Sequence, residues 1–152
     1  MYVPGMEIKT KLQMFTCHEL THAFSSHLRL PAWLNEGLAM VTVDRSLGMR
    51  TIREDTLELL RGKEFSGRPP TYAKQARLKA EAIAYYAILG YWIVQYLEEE
   101  YPGFLKRLLS ASPNIRIIDK EIAVQIGIEP NGFWTRIAPI IFDHYKKKAG
   151  HS

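Results

Sequence analysis

The chain has 152 residues, the usual size of one domain, and is long enough to bury a core without disulfide staples. Its composition, 47% hydrophobic and 24% charged, is that of an ordinary globular protein, and the lone Cys17 excludes a disulfide framework and suits a reducing compartment. The formal net charge is +4, in part from Lys146-Lys147-Lys148, expected as a solvated helix end; no basic stripe is interleaved with aromatics, so no nucleic-acid partner is expected.

The opening stretch MYVPGMEIKTKLQMF carries no continuous apolar region of the signal-peptide kind. Apolar residues Ile8, Leu12, Phe15, Leu20, Phe24 and Leu28 recur at steps of three and four and predict a helix from about Glu7 to His27. Pro31 suits the first turn of a second helix, expected to run to about Val43. Arg45 to Met49 reads as a loop. A short helix bearing Ile52, Leu57, Leu59 and Leu60 is expected to end at Gly62, and Arg68-Pro69-Pro70 is an extended break. The longest helix is predicted from Tyr72 to Glu100. Its apolar run from Ala82 to Val94 falls well short of the roughly 20 residues of a membrane span, so a cytoplasmic protein with no membrane partner is expected.

Pro102-Gly103 separates that helix from a short one through Leu109, and Ser112-Pro113-Asn114 turns the chain. Two last helices are predicted over about Asp119 to Ile126 and Pro130 to Lys148, the second kinked at Pro139. Only Val41-Thr42-Val43 and Ile115 to Ile118 are β-prone. The expected fold is a single, mainly α domain over residues 1–152, with little or no β-sheet.

His18-Glu19-Leu20-Thr21-His22 is an H-E-x-x-H pattern on the first helix. Positions i and i+4 share a helical face, so the two imidazoles converge on one point and suit a borderline-soft ion such as Zn²⁺. Glu19 is rotated by about 100° from His18 and is placed to reach a water beside the metal rather than the metal itself. The apolar character of the helix implies that these polar groups have a partner.

A catalytic zinc needs a third protein ligand. His27, five residues past His22, lies off the ligand face. A metzincin pattern would need glycine at Ser25 and histidine at Leu28 and is excluded. Cys17 points away and reads as a small buried apolar residue. Glu36 fits better. It stands in Leu30-Pro31-Ala32-Trp33-Leu34-Asn35-Glu36-Gly37-Leu38-Ala39, a mostly apolar helix where a carboxylate wants a charge partner. Gly37 costs about 1 kcal/mol in a helix relative to alanine, which a close approach to another helix or to the metal would explain.

HELTH followed by LPAWLNEGLA resembles the gluzincin metallopeptidases, the broad group of thermolysin, and most closely the bacterial peptidase MA-like families. The stretches Tyr85-Tyr86 through Tyr101 and Ile117 to Tyr145 resemble later helices of that family, so the likeness spans nearly the whole chain, sharply only at HELTH and WLNEGLA. The resemblance implies a zincin-like domain in which the H-E-x-x-H helix packs on the glutamate-ligand helix. It implies His18, His22 and Glu36 as ligands of Zn²⁺, Glu19 as general base, and Tyr86 or Tyr85 as the group that stabilises an oxyanion.

Two features depart from the family. Thermolysin-like enzymes carry an acidic residue four after the glutamate ligand to orient a histidine; here Met40 stands there, with Asp44 or Asn35 as possible substitutes. The family's β-sheet, whose edge holds the substrate backbone, ordinarily precedes the H-E-x-x-H helix, and about six residues precede it here. A minimal form, a fragment, or an edge supplied from elsewhere are the three readings. The expected activity is zinc-dependent hydrolysis of a peptide or protein substrate. The alternatives are a zinc-binding module of the same fold with little or no catalysis, and a plain helical interaction domain. Substrate and oligomeric state are not legible.

Overall fold

The computed structural model describes residues 5–62, 67–112 and 114–150; among them no strand occurs. Seven α-helices follow in order: α1 (Ile8–Ser25), α2 (Ala32–Leu47), α3 (Tyr72–Gln75), α4 (Ala80–Glu100), α5 (Phe104–Ser110), α6 (Ile118–Ile126) and α7 (Phe133–Gly150). Short 3-10 segments lie at Ser26–Leu28, Glu54–Arg61 and Pro130–Gly132. The mainly α expectation holds, and no described helix is long and apolar enough to cross a membrane.

The core forms where α2 lies against α4, the most extensive packing in the molecule. The reason is local: a Cβ built on Gly37 would stand 2.4 Å from the Gly90 carbonyl oxygen, and one on Gly90 only 2.0 Å from that of Trp33. Only glycine lets the two backbones approach this closely. The expectation that Gly37 marks a close helix approach is met, and the neighbour is α4. Around this crossing Trp33, Leu34, Trp92, Ile93, Leu97, Phe133, Ile137 and Ile141 are buried. The segment Glu54–Arg61 and α7 close the far side.

Several boundaries differ from the sequence reading. Pro31 caps α2 in an extended conformation (φ −60°, ψ 147°) and the helix begins at Ala32. Arg45 to Leu47 continue α2, which ends at Gly48 in the left-handed region (φ 60°), where glycine carries no Cβ penalty. The β-prone Val41-Thr42-Val43 lies within α2 because burial of Val41 and Val43 against the core overrides local propensity. Ile115 to Ile117 form a turn ahead of α6. The long helix expected from Tyr72 to Glu100 is two, α3 and α4, separated by a turn at 76–79. Pro139 sits inside α7 without ending it. Pro113, expected in a turn, lies outside the described residues. The lysine-rich end of α7 is paired as well as solvated: Lys146 meets Glu58 at 2.6 Å and Lys148 meets Glu99 at 2.8 Å.

The largest difference concerns α1. Its apolar residues recur at the spacing of a helix that buries one face. Instead Met14 alone is buried, while Leu12, Phe15 and Leu20 are exposed and Ile8 and Phe24 are 85% and 78% exposed. The helix rests chiefly on α2 through one face, and that face carries the histidines. Cys17, expected to be buried, is only half-buried.

Candidate metal centre

Two helices and one short loop build the site. The chain leaves α1 through Ser26–Leu28, passes Arg29 in a left-handed conformation (φ 49°, ψ 45°) and enters α2 at Ala32, so that α2 folds onto α1. One turn into α2, Glu36 faces the i, i+4 pair of α1. His18 Nε2 and His22 Nε2 stand 2.9 Å apart. Glu36 Oε2 lies 3.4 Å from His18 Nε2, and Glu36 Oε1 lies 3.5 Å from His22 Nε2. The three side chains retain 20–28% exposure.

These separations test whether the residues fit a metal. Ligand atoms at 2.0–2.2 Å from a tetrahedral zinc stand about 3.3–3.6 Å apart. The two imidazole–carboxylate distances, 3.4 and 3.5 Å, match that spacing, the 2.9 Å between the imidazole nitrogens is a few tenths of an ångström shorter, and two imidazoles with a carboxylate match that chemistry. Without a cation the arrangement is poorly compensated: two Nε2 atoms face each other and at most one proton lies between them. The carboxylate supplies the negative charge that a divalent ion would neutralise.

Glu36 is held by more than the histidines. The Tyr72 hydroxyl donates to Glu36 Oε1 at 2.8 Å and accepts from Asn35 Nδ2 at 2.9 Å. Asn35 Oδ1 in turn lies 3.1 Å from Ser25 Oγ, which links α2 back to α1. Burial alone would raise the Glu36 carboxyl, but its bonds to His18 and Tyr72 and the charge of both imidazoles outweigh it and hold it below the ordinary value. Desolvation, with the Glu36 carboxylate beside it, pushes the Tyr72 phenol up to about 12. Tyr72 therefore stays a neutral donor at any physiological pH.

Tyr72 is the residue that sequence reasoning missed. It stands 36 positions from Glu36, on a four-residue helix that no periodicity separates from α4. Asn35, one of two candidates for orienting a histidine, serves the glutamate instead. Asp44, the other, is taken up elsewhere: it accepts from the Thr51 amide at 2.6 Å and the Tyr91 hydroxyl at 2.8 Å. His18 Nδ1 and His22 Nδ1 are buried without a hydrogen-bond partner among the described residues. Such ring nitrogens usually donate to a carboxylate or carbonyl, and an unmet donor costs about 1–3 kcal/mol.

Beside the cluster lies a cavity of about 550 Å³, lined by His18, Glu19 and Glu36 and otherwise mostly by apolar side chains, among them Met14, Phe15, Met40 and Ile88. Glu19 is exposed and has no hydrogen-bond or ion-pair partner among the described residues. The α4 face on this cavity is Ala84, Ala87 and Ile88. Tyr85 and Tyr86, expected to stabilise an oxyanion, are not among its lining residues. They follow Ala84 by about 100° and 200° of helical rotation, off that face. Tyr85 lines a different cavity with Leu60, Trp134 and Phe142, where burial pushes its phenol up. His27 is exposed and stands outside the cluster. No protein family, curated protein or solved structure matches this chain.

Proposed function

We propose that the chain is a zinc-dependent peptidase whose metal is held by His18, His22 and Glu36. The observation that carries this reading is the convergence of His18 Nε2, His22 Nε2 and the Glu36 carboxylate at 2.9–3.5 Å, with the unpartnered Glu19 in the same cavity. The resemblance of HELTH and WLNEGLA to the gluzincin peptidases supports it. Zinc bound there supplies Lewis acidity to a carbonyl and to an attacking water. Glu19, in the same cavity, would take a proton from the attacking water and return it to the leaving amine. Tyr72 and Asn35 keep the Glu36 carboxylate ionised and aimed. The apolar cavity walls bind a hydrophobic side chain and exclude water.

The test is metal content followed by turnover. Protein purified without added zinc and then dialysed against it should hold one equivalent, lost in His22→Ala. Glu19→Gln should keep the metal and lose about 10²–10⁴-fold in peptide hydrolysis, the usual contribution of a positioned general base. Zinc that never reaches stoichiometry sinks the reading at its root.

Two observations favour a second reading, a zinc-binding module with little catalysis. Both buried Nδ1 atoms lack a partner among the described residues, and neither expected tyrosine lines the cavity. Stoichiometric zinc with no hydrolysis of any peptide, unchanged by Glu19→Gln, would select it.

A further inference from the structure

A second and larger cavity, about 650 Å³, has Tyr72, the hydrogen-bond donor to Glu36, in its lining. Tyr72 lines it, while Glu36 lines the apolar cavity described above. The hydrogen bond from Tyr72 to Glu36 thus joins the linings of two cavities. Their chemistry differs. The floor here is apolar, from Leu30, Trp33 and Ile118, and the rim is cationic, from Arg68, Lys74 and Arg116.

Those three cations come from separate stretches of chain: the segment before α3, α3 itself, and the turn before α6. The cavity holds one carboxylate, Asp119, which is already engaged. It accepts from Trp134 Nε1 at 2.9 Å and from the Lys120 amide at 3.1 Å, and stands 3.8 Å from Arg68 Nη2. Lys74 and Arg116 have no carboxylate partner among the described residues. Elsewhere on the surface basic side chains are commonly paired, as Arg45 is with Glu98, Arg50 with Glu54 and Lys148 with Glu99. Two unpaired cations facing one concavity, beside a third that is only partly neutralised, make a local field that favours an anionic guest.

We propose that this cavity is a subsite for a carboxylate carried by the peptide substrate, supplied by an acidic side chain or by a free C-terminus. The proposal rests on the peptidase reading for its substrate, and it specifies a bipartite one. An apolar side chain enters the cavity of Met14, Phe15 and Met40, and a carboxylate on the other side of the scissile bond meets Lys74 and Arg116. Tyr72 is the wall between them. Arginine offers a planar fork suited to two carboxylate oxygens, and lysine a compact point charge. Both are solvent-exposed, so the preference is sensitive to salt.

Binding is measured apart from catalysis. The full-length Glu19→Gln variant, with one equivalent of zinc, is titrated into three fluorescent peptides followed by anisotropy. All share a central phenylalanine. One carries two aspartates and an amidated end, one carries two asparagines and an amidated end, and one carries two asparagines and a free C-terminal carboxylate. At low salt, one or both carboxylate peptides should bind about tenfold tighter than the neutral one, with the gap closing as salt rises. Which of the two gains identifies the source of the carboxylate. Lys74→Glu with Arg116→Glu should bring the affinity ratio to about one or invert it, and the milder Lys74→Gln and Arg116→Gln should each narrow it. Thermal melts establish that each variant is folded. Equal affinity for all three peptides, or a preference that survives charge reversal in a folded variant, overturns the proposal. Failure of the peptidase reading is seen separately, as absence of hydrolysis of all three peptides by the zinc-loaded wild type.

Discussion

Helices α1 and α4 are close in length and both rich in apolar residues, yet they meet opposite fates. In α4 Leu89, Trp92, Ile93, Val94 and Leu97 are all buried, and Gly90 lies against the backbone of α2. In α1 only Met14 is buried, and Ile8, Leu12, Phe15 and Phe24 face outward. The helix that holds the fold together therefore carries none of the cluster, and the helix that carries two of its three groups buries only one residue. Glu36 joins them, because it sits on α2, which packs on both. Apolar area drives burial only where the fold supplies a facing surface. A cluster spread over a rigid helix and a loosely held one is also a place where bound metal becomes local stability.

The comparison is sharpened most by metal. One equivalent of zinc should slow hydrogen exchange in α1 far more than in α4, since α4 is buried in the core away from the cluster. At free zinc a thousandfold above Kd the stabilisation is about 4 kcal/mol. Exchange that slows equally in both helices, or in neither, would break the idea that α1 is tethered through the cluster.

The core half can be broken separately. Gly90→Ala sets a Cβ into the Trp33 carbonyl, where an added carbon would lie 2.0 Å away, and backbone cannot yield as a side-chain tip does. A loss of about 3 kcal/mol in denaturant unfolding is expected, at the upper end of ordinary overpacking costs. A melt unchanged from wild type would show that the α2–α4 approach is not tight.

The smallest effect lies between the two helices. Tyr72→Phe removes one of the bonds that keep Glu36 ionised and should cost about 1 kcal/mol at neutral pH, discounted for partial exposure. The sign follows from the direction of the shift. The folded Glu36 carboxyl lies below its ordinary value of 4.5, so its contribution is present above that pH and is lost as pH falls through the depressed value. The gap between wild type and Tyr72→Phe in urea midpoints should therefore be full near neutrality and narrow in acid. A gap that is constant with pH would assign the effect to packing alone.

What the residues disclosed by themselves was whatever depends on short spacing. The i, i+4 placement of His18 and His22 put two imidazoles on one face, and a carboxylate in an apolar helix pointed to Glu36. A glycine inside that same helix foretold a close backbone approach. Helical periodicity placed most elements to within a few residues. Tertiary structure alone decided the rest, because it depends on what lies opposite. The stripe of α1 has the period of a buried helix but no facing partner among the described residues. Tyr72 meets Glu36 across 36 positions, a contact made by the tertiary fold and not by any local spacing. Tyr85 and Tyr86 lie off the face of the Glu19 cavity because the phase of α4 is set by Gly90 at the crossing with α2. Spacing fixes which side chains share a helix face; only packing selects what that face meets.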